Sequence, residues 1–293
     1  MNPFAYTTMK SQIVRMICQI LLAATILPAS ANSLYVSPAD NDTNSGTKSS
    51  PWLSLSKAVA AAQPGDVIQL AGGTYACAET VEIDKAGTAE KPIRIEAVAG
   101  ERPILDYSSW KPDVEKARGS ARGMFISTNA QWWLIKGLEI CNAPDNGVKS
   151  EGGHITFEQC VFHHNGDTGL QVGLAKGKVK SNDDPEHFAA YNLVLNCDAY
   201  RNADPATKYE NADGFACKLN AGRGNKFVGC RAWENADDGW DFFLTKEEIV
   251  VDHCWSWHNG DGKFWNAEVF QGDGNGFKLG GDDTFCPVTV LNS

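Results

Sequence analysis

Basic residues are few in this 293-residue chain: 26 Lys and Arg stand against 36 Asp and Glu, a formal net charge of −10. A nucleic-acid binder would carry a basic patch or stripe, so that class is disfavoured, as is affinity for an anionic membrane surface. Long hydrophobic runs are also missing. The apolar stretch Met16–Leu27 (MICQILLAATIL) is too short to be a membrane span. No C-x-x-C occurs and no histidine cluster has zinc spacing; Cys254 and His258 sit four apart without partners. Methionine is scarce at four residues, whereas 28 glycines and nine tryptophans point to a turn-rich, aromatic-rich β protein. With 43% hydrophobic residues, the chain can build one sizeable core or two small ones. Its acidity also suggests, at first, a poor partner for any polyanion.

The first 31 residues read as a leader. Lys10 and Arg15 form a positive segment with no acid before position 40, the apolar run follows, and Pro28 with Ala29–Ala31 supplies a helix break and a small-x-small cleavage site. The expectation is a secreted or periplasmic chain starting near Asn32, with no membrane attachment after cleavage. Dropping Lys10 and Arg15 leaves 24 basic against 36 acidic residues, or −12. Cys18 leaves with the leader, so eight of nine cysteines remain.

Internal repetition carries the fold. Four segments alternate apolar residues around a cysteine with an asparagine five positions later: Ile155–Asn165 (ITFEQCVFHHN), Leu193–Asn202 (LVLNCDAYRN), Phe227–Asn235 (FVGCRAWEN) and Ile249–Asn259 (IVVDHCWSWHN). Trp133–Gly147 is a looser copy. After each asparagine comes a glycine opening a second short strand: Gly169–Val172, Gly214–Cys217, Gly239–Phe242 and Gly276–Leu279. Period two puts the residues flanking the middle position inside and the middle residue outside. Stacked short strands with a repeat near the mid-twenties indicate an all-β fold, a parallel β-helix occupying residues 32–293 as one domain. The asparagines should form an internal ladder. The cysteines Cys160, Cys197, Cys230 and Cys254 should stack as thiols rather than pair as disulfides, leaving Cys77, Cys141, Cys217 and Cys286 open.

Pro51–Tyr75 reads as an amphipathic helix with Leu53, Ala58, Val59 and Ala62 on its apolar face, then a Pro-Gly-Asp turn and the first strand. That helix should cap the first coil. Asp40-x-Asp42-x-Asn44 partly matches a calcium loop, but Ser45 stands where glycine is required, so a plain loop is expected. At the other end Val288–Asn292 begins another coil, with Asn292 aligned to Asn196, and Ser293 falls where the cysteine belongs. The sequence therefore reads as a fragment or prematurely terminated product.

Aligning the second strands stacks Asp213, Asp238 and Asn275 before the glycine, and Ala216, Asp241 and Lys278 at the outward position. Coils rise by about 4.8 Å, so Asp213, Asp237, Asp238 and Asp241 should converge with Lys278 one coil above Asp241. Clustered carboxylates from adjacent coils, without histidine or thiolate, are ligands for a hard cation such as Ca2+; the alternative is a solvated acidic face.

The segments Asn211–Phe215 (NADGF), Glu234–Asp241 (ENADDGWD) and Gly274–Gly281 (GNGFKLGG) resemble those of family-nine polysaccharide lyases, the pectate lyases built on a right-handed parallel β-helix. The similarity runs from about residue 34 to residue 287, and its motifs fall on independent coils. The resemblance implies that Asp213, Asp237, Asp238 and Asp241 bind calcium, that Lys278 is the Brønsted base, and that the substrate is polygalacturonate or pectin. It also implies further coils beyond Ser293. Lys218, on the same face, is a candidate to grip a substrate carboxylate, or is a solvated lysine. β-Elimination at a 4-linked uronate removes the C5 proton and expels the C4 oxygen, which needs a neutral lysine. Asp241 raises the Lys278 pKa whereas burial and calcium lower it, and an alkaline, calcium-dependent activity is expected; the chain is separately expected to be a monomer. Other readings remain: another uronate polysaccharide lyase, a glycoside hydrolase using a carboxylate pair, a non-catalytic adhesin-like solenoid, or an inactive truncated lyase.

Overall fold

In a computed structural model of the chain, the described residues are 31–113, 119–174, 188–283 and 285–293. The leader expected over residues 1–31 lies, Ala31 apart, outside them. Residues 32–293 wind into stacked coils whose strands form three all-parallel sheets, of nine, seven and seven strands among the described residues. Sheet 1 contains Gln131–Lys136, Gly153–Glu158, Leu193–Leu195, Asn225–Val228 and Ile249–Asp252; sheet 2 contains Glu139–Cys141, Val161–His163, Asp198–Tyr200, Arg231–Trp233 and Trp255–Trp257. Sheet 3 contains Met124–Ile126, Val148–Ser150, Leu170–Val172, Phe215–Cys217, Trp240–Asp241 and Phe277–Lys278. From Val67 onward the chain visits the sheets in the order 1, 2, 3, and each strand pairs with its counterpart one coil away.

The cysteine-centred segments are two strands rather than one, which corrects the reading of a single alternating run. In Ile155–Asn165 the first strand ends at Glu158 and the second is Val161–His163. The corner between them is made by one left-handed residue just before each cysteine: Gln159, Asn196, Gly229 and His253, with φ from 51° to 64°. A second left-handed residue, His164, Arg201, Glu234 or His258, stands just before each asparagine. Such conformations are unusual for non-glycine residues. Each corner breaks the inside–outside alternation by one residue, so period two alone cannot locate it.

Side chains turned inward at these corners stack in columns. Asn165 Nδ2 donates to Asn202 Oδ1, Asn202 Nδ2 to Asn235 Oδ1 and Asn235 Nδ2 to Asn259 Oδ1, each at 2.9 Å. The same oxygens accept the backbone N–H of the coil before, including Ala143 N–H at 3.1 Å from Asn165 Oδ1. A shorter column missed in the sequence links Ile155 N–H to Asn192 Oδ1 (2.8 Å) and Asn192 N–H to Asn225 Oδ1 (3.0 Å). All eight cysteines among the described residues are free thiols, and the four stacked ones are fully buried. The stacked glycines are demanded by closeness rather than by backbone angle. A Cβ on Gly169 would lie 2.7 Å from Gly214 O, and one on Gly214 2.8 Å from Asn235 Nδ2.

Helix α1, Leu55–Ala61, is capped by Ser54, whose hydroxyl accepts from Lys57 N–H at 3.2 Å. It packs through Leu55, Ala58 and Val59 on the first coil, against Ser33–Val36, Val67–Leu70 and Val81–Ile83. Leu53, assigned to its apolar face, instead precedes the cap and is exposed, with Leu55 taking its place. Ser33–Val36 forms the outermost strand of sheet 1, so the strand after the Pro-Gly-Asp turn is second and not first. Asp42 serves structure: it accepts from Leu53 N–H, Ser54 N–H and the Ser54 hydroxyl. At the other end Val288–Leu291 pairs with Ile249–Asp252, Asn292 takes the corner conformation (φ 52°), and Ser293 Oγ accepts from Cys254 N–H at 3.0 Å, as Cys197 Sγ does from Cys160 N–H at 3.4 Å. The expected coil register is therefore present to the last residue.

Asn235→Ala should destabilise the fold by about 3 kcal/mol, because two buried donors of Asn202 lose their acceptor; urea melts measure this. Thiol titration of non-reduced protein lacking the leader should find eight reactive groups after denaturation, with Cys160, Cys197, Cys230 and Cys254 protected beforehand.

Candidate active site

The turn between sheets 2 and 3 places the acids. Asp237 follows Asn235 of the ladder by two residues, while Asp213, Asp238 and Asn275 each precede a stacked glycine, and Thr168 holds that position one coil below. The strands that follow set Ala216, Asp241 and Lys278 directly in register. Fixed corners and a fixed strand spacing thus bring together residues up to 65 apart in sequence.

Asp213, Asp237 and Asp238 present carboxylate oxygens within 4.8 Å of one another. They are buried rather than spread on an outer face, at 0%, 2% and 0% exposure. Each is held by neighbours in adjacent coils. Thr168 Oγ donates to Asp213 Oδ2 (3.1 Å), Asp273 N–H to Asp237 Oδ1 (2.6 Å), and Asn275 N–H and Nδ2 to Asp238 Oδ1 (2.7 and 2.9 Å). Asp238 Oδ2 receives no hydrogen bond. Asp241 stands apart from the trio, its Oδ1 accepting from Phe243 N–H (2.8 Å) and its Oδ2 from Lys218.

Two lysines attend the acids. Lys218 Nζ lies 2.8 Å from Asp213 Oδ2 and 2.7 Å from Asp241 Oδ2, bridging the trio to the fourth aspartate. Burial works to deprotonate it, but the charges of Asp213 and Asp241 prevail and hold it protonated. In this state its ammonium is engaged by the protein's own carboxylates. Lys278 Nζ lies 3.4 Å from Asp238 Oδ2 and 2.9 Å from Asp273 Oδ2. Burial lowers the Lys278 pKa, yet the Asp273 hydrogen bond and the charges of Asp238, Asp241 and Asp237 outweigh it and raise the value above that of an ordinary lysine. Asp273 lies in an insertion and carries no periodic signal, whereas Thr168 occupies the pre-glycine position of the column and the glycine alignment extends to it.

The residues fit a hard cation. The donors are all oxygen, drawn from turns bounded by the asparagine and glycine columns, with one buried carboxylate oxygen left without a donor. Burial and the neighbouring Asp238 push Asp237 up to about 7, and burial raises Asp238. Carboxylates so crowded need a cation or protons. The other group able to hold a metal among the described residues, Glu139, Cys141 and His163 on sheet 2, is already satisfied internally: Glu139 pairs with Arg102 and with His163 Nε2 (2.8 Å).

Two long insertions leave from this same turn in different coils, residues 203–212 and 260–275. They meet, with Tyr209 stacked on Phe270 at 5.3 Å and Gln271 N–H donating to Lys208 O at 2.9 Å. Beside the first insertion a cavity of about 360 Å³ is lined by Trp110, Asn142, Asp145, Asp167, Asp204 and Thr207. Burial and Asp167 push Asp204 there up to about 6.

Comparison with known proteins agrees with this architecture. The family described as "Pel9A-like, right handed beta helix region" matches residues 34–293. The chain is 39% identical over 254 residues to "Pectate lyase L" of Dickeya dadantii, covering 85% of this chain and 55% of that one. Among solved structures it superposes on "Crystal structure of pectate lyase Pel9A" with a TM-score of 0.74 and 36% identity, covering 86% of this chain and 60% of the other. It superposes on a "Rhamnogalacturonan lyase" with a TM-score of 0.70 and 26% identity, covering 88% and 65%. The chain thus spans little more than half the length of the curated relative.

Metal-free protein should lose stability as pH rises from about 4 to about 7, because folded Asp237 retains a proton that an unfolded aspartate, with its ordinary value of 3.8, has released. Saturating Ca2+ should flatten that slope and raise the melting temperature, by the equivalent of about 2.7 kcal/mol at a hundredfold excess over Kd. Asp238→Asn should abolish the calcium-induced shift in the same melts.

Proposed function

The chain belongs to the Pel9A-like right-handed β-helix family, and on that premise we propose that it is a calcium-dependent pectate lyase cleaving 4-linked galacturonan by β-elimination. The observation that carries this reading is a lysine amine 3.4 Å from one of three clustered, buried aspartates. A hydrolase needs a carboxylic acid and a carboxylate flanking the scissile bond; a lysine poised against a cation site suits removal of a carbon-bound proton.

Asp213, Asp237, Asp238 and Asp241 would hold the calcium. When bound, it supplies a Lewis acid that offsets negative charge developing on the uronate carboxylate as C5 loses its proton. Lys278 takes that proton at Nζ and the C4 oxygen departs, leaving an unsaturated sugar end. Asp273 and Asp238 orient the amine, and Lys218 fixes Asp213 relative to Asp241. Against burial, Asp273, Asp238, Asp241 and Asp237 raise the Lys278 pKa in the metal-free chain, so the neutral amine is favoured by alkaline medium and by a cation among the clustered acids. We assign the protein to the extracellular or periplasmic space as a monomer, on the leader-like residues 1–31, with no nucleic-acid or membrane partner after cleavage. A second reading, elimination on another uronate polysaccharide, is favoured by the likeness to a rhamnogalacturonan lyase.

Polygalacturonate with Ca2+ at alkaline pH should yield product absorbing near ~235 nm, and a chelator should abolish it. Lys278→Ala should lower kcat by about 10³-fold. New reducing ends without that absorbance, or full activity in Lys278→Ala, would sink the proposal; turnover only on a mixed rhamnose–galacturonate polymer selects the second reading.

A further inference from the structure

The outward row on sheet 3 continues below the aspartates. Phe125, Lys149, Gln171, Ala216, Asp241 and Lys278 lie directly in register on successive coils. Lys149 is therefore three strand spacings from Asp241, about 14 Å. Its neighbours Val148 and Ser150 are fully buried in the coil interior, and Lys149 itself is only 4% exposed. Among the described residues no hydrogen bond or ion pair reaches its ammonium. Burial accordingly pulls its pKa down to about 7.

The surrounding charges do not provide a partner. Glu151 and Asp167 favour the ammonium, while Arg122 and Lys218 oppose it. Both of those cations have partners of their own: Arg122 lies 3.6 Å from Asp145 and over the Phe125 ring, and Lys218 bridges Asp213 and Asp241. A buried amine with no partner weakens a fold that a methionine at the same place would support better. Its position explains it if an external anion completes it.

We infer that Lys149 binds a carboxylate of the polymer about three sugar units from the one held at the aspartates. This rests on the galacturonan reading above. A pyranose spans roughly one strand spacing, about 5 Å, so a chain laid along sheet 3 presents a uronate at each coil. One end of such a chain is fixed by Asp213, Asp237, Asp238 and Lys278. The other meets Lys149, with Gln171 between them and Arg122 beside it. The row thereby selects polymers that carry a free carboxylate at that distance from the cleaved bond.

The test measures binding of oligogalacturonates of increasing length, in saturating Ca2+, to Lys278→Ala protein with and without Lys149→Met. Calorimetry should show an affinity step once the oligomer is long enough to reach Lys149. Lys149→Met should lose that step, about tenfold in Kd, and should leave shorter oligomers unaffected. The same substitution should raise the melting temperature of ligand-free protein, an outcome opposite to that for a residue holding the fold together. Survival of the step in Lys149→Met, or a lower melting temperature, overturns the inference alone. If Lys278→Ala protein binds calcium but no oligogalacturonate of any length, the galacturonan reading falls and this inference with it.

Discussion

Everything in this molecule depends on the in-register parallel pairing of each coil with the next. The backbone ladder sets one strand spacing per coil, and the asparagine column repeats it with side-chain amides inside the corner. Each amide oxygen accepts both the amide and the backbone N–H of the coil before, so a slip would leave several buried donors unsatisfied at once. The glycine column has the same consequence by exclusion, since a Cβ there would strike the next coil. Register is thereby fixed at the corner that carries the acidic residues.

Carboxylates in such a column repel one another, and the structure manages this in two ways. Lys218 pairs with Asp213 and Asp241 from within, although burial and the neighbouring aspartates still raise the Asp213 pKa. Asp237 and Asp238 are left to be neutralised by protons or by a cation, and burial makes that demand strong. The overall acidity therefore says little about whether an acidic polymer is accepted. What bears on it is the local charge at this one corner and at Lys149, further down the same row of sheet 3.

Much of this was legible in the sequence because it repeats. Cysteine and asparagine at constant separation gave the coil, and glycine-anchored alignment put Asp213, Asp238 and Asn275 in one column and Asp241 with Lys278 in another, where they are found. Sheet 2 was not legible as a sheet of its own, because left-handed corner residues such as Gln159 and His164 shift the alternation without any compositional mark. The partners were not legible either. Asp273 lies in an insertion, and Lys278 reaches it and Asp238 rather than the strand neighbour Asp241, because a long side chain can leave its own column. Lys149 was hidden for a different reason: a lysine at an outward position reads as solvated until burial is known.

The two insertions at 203–212 and 260–275 both spring from the sheet 2–sheet 3 corner, and the column residues on either side of each keep their register. That corner separates two kinds of freedom. Chain length there is unconstrained by the stack, whereas the residues a few positions away are held in register. The loops at this corner can consequently change length and sequence while the aspartates and Lys278 keep their places, much as the jaws of a tool can be exchanged on an unchanged shank.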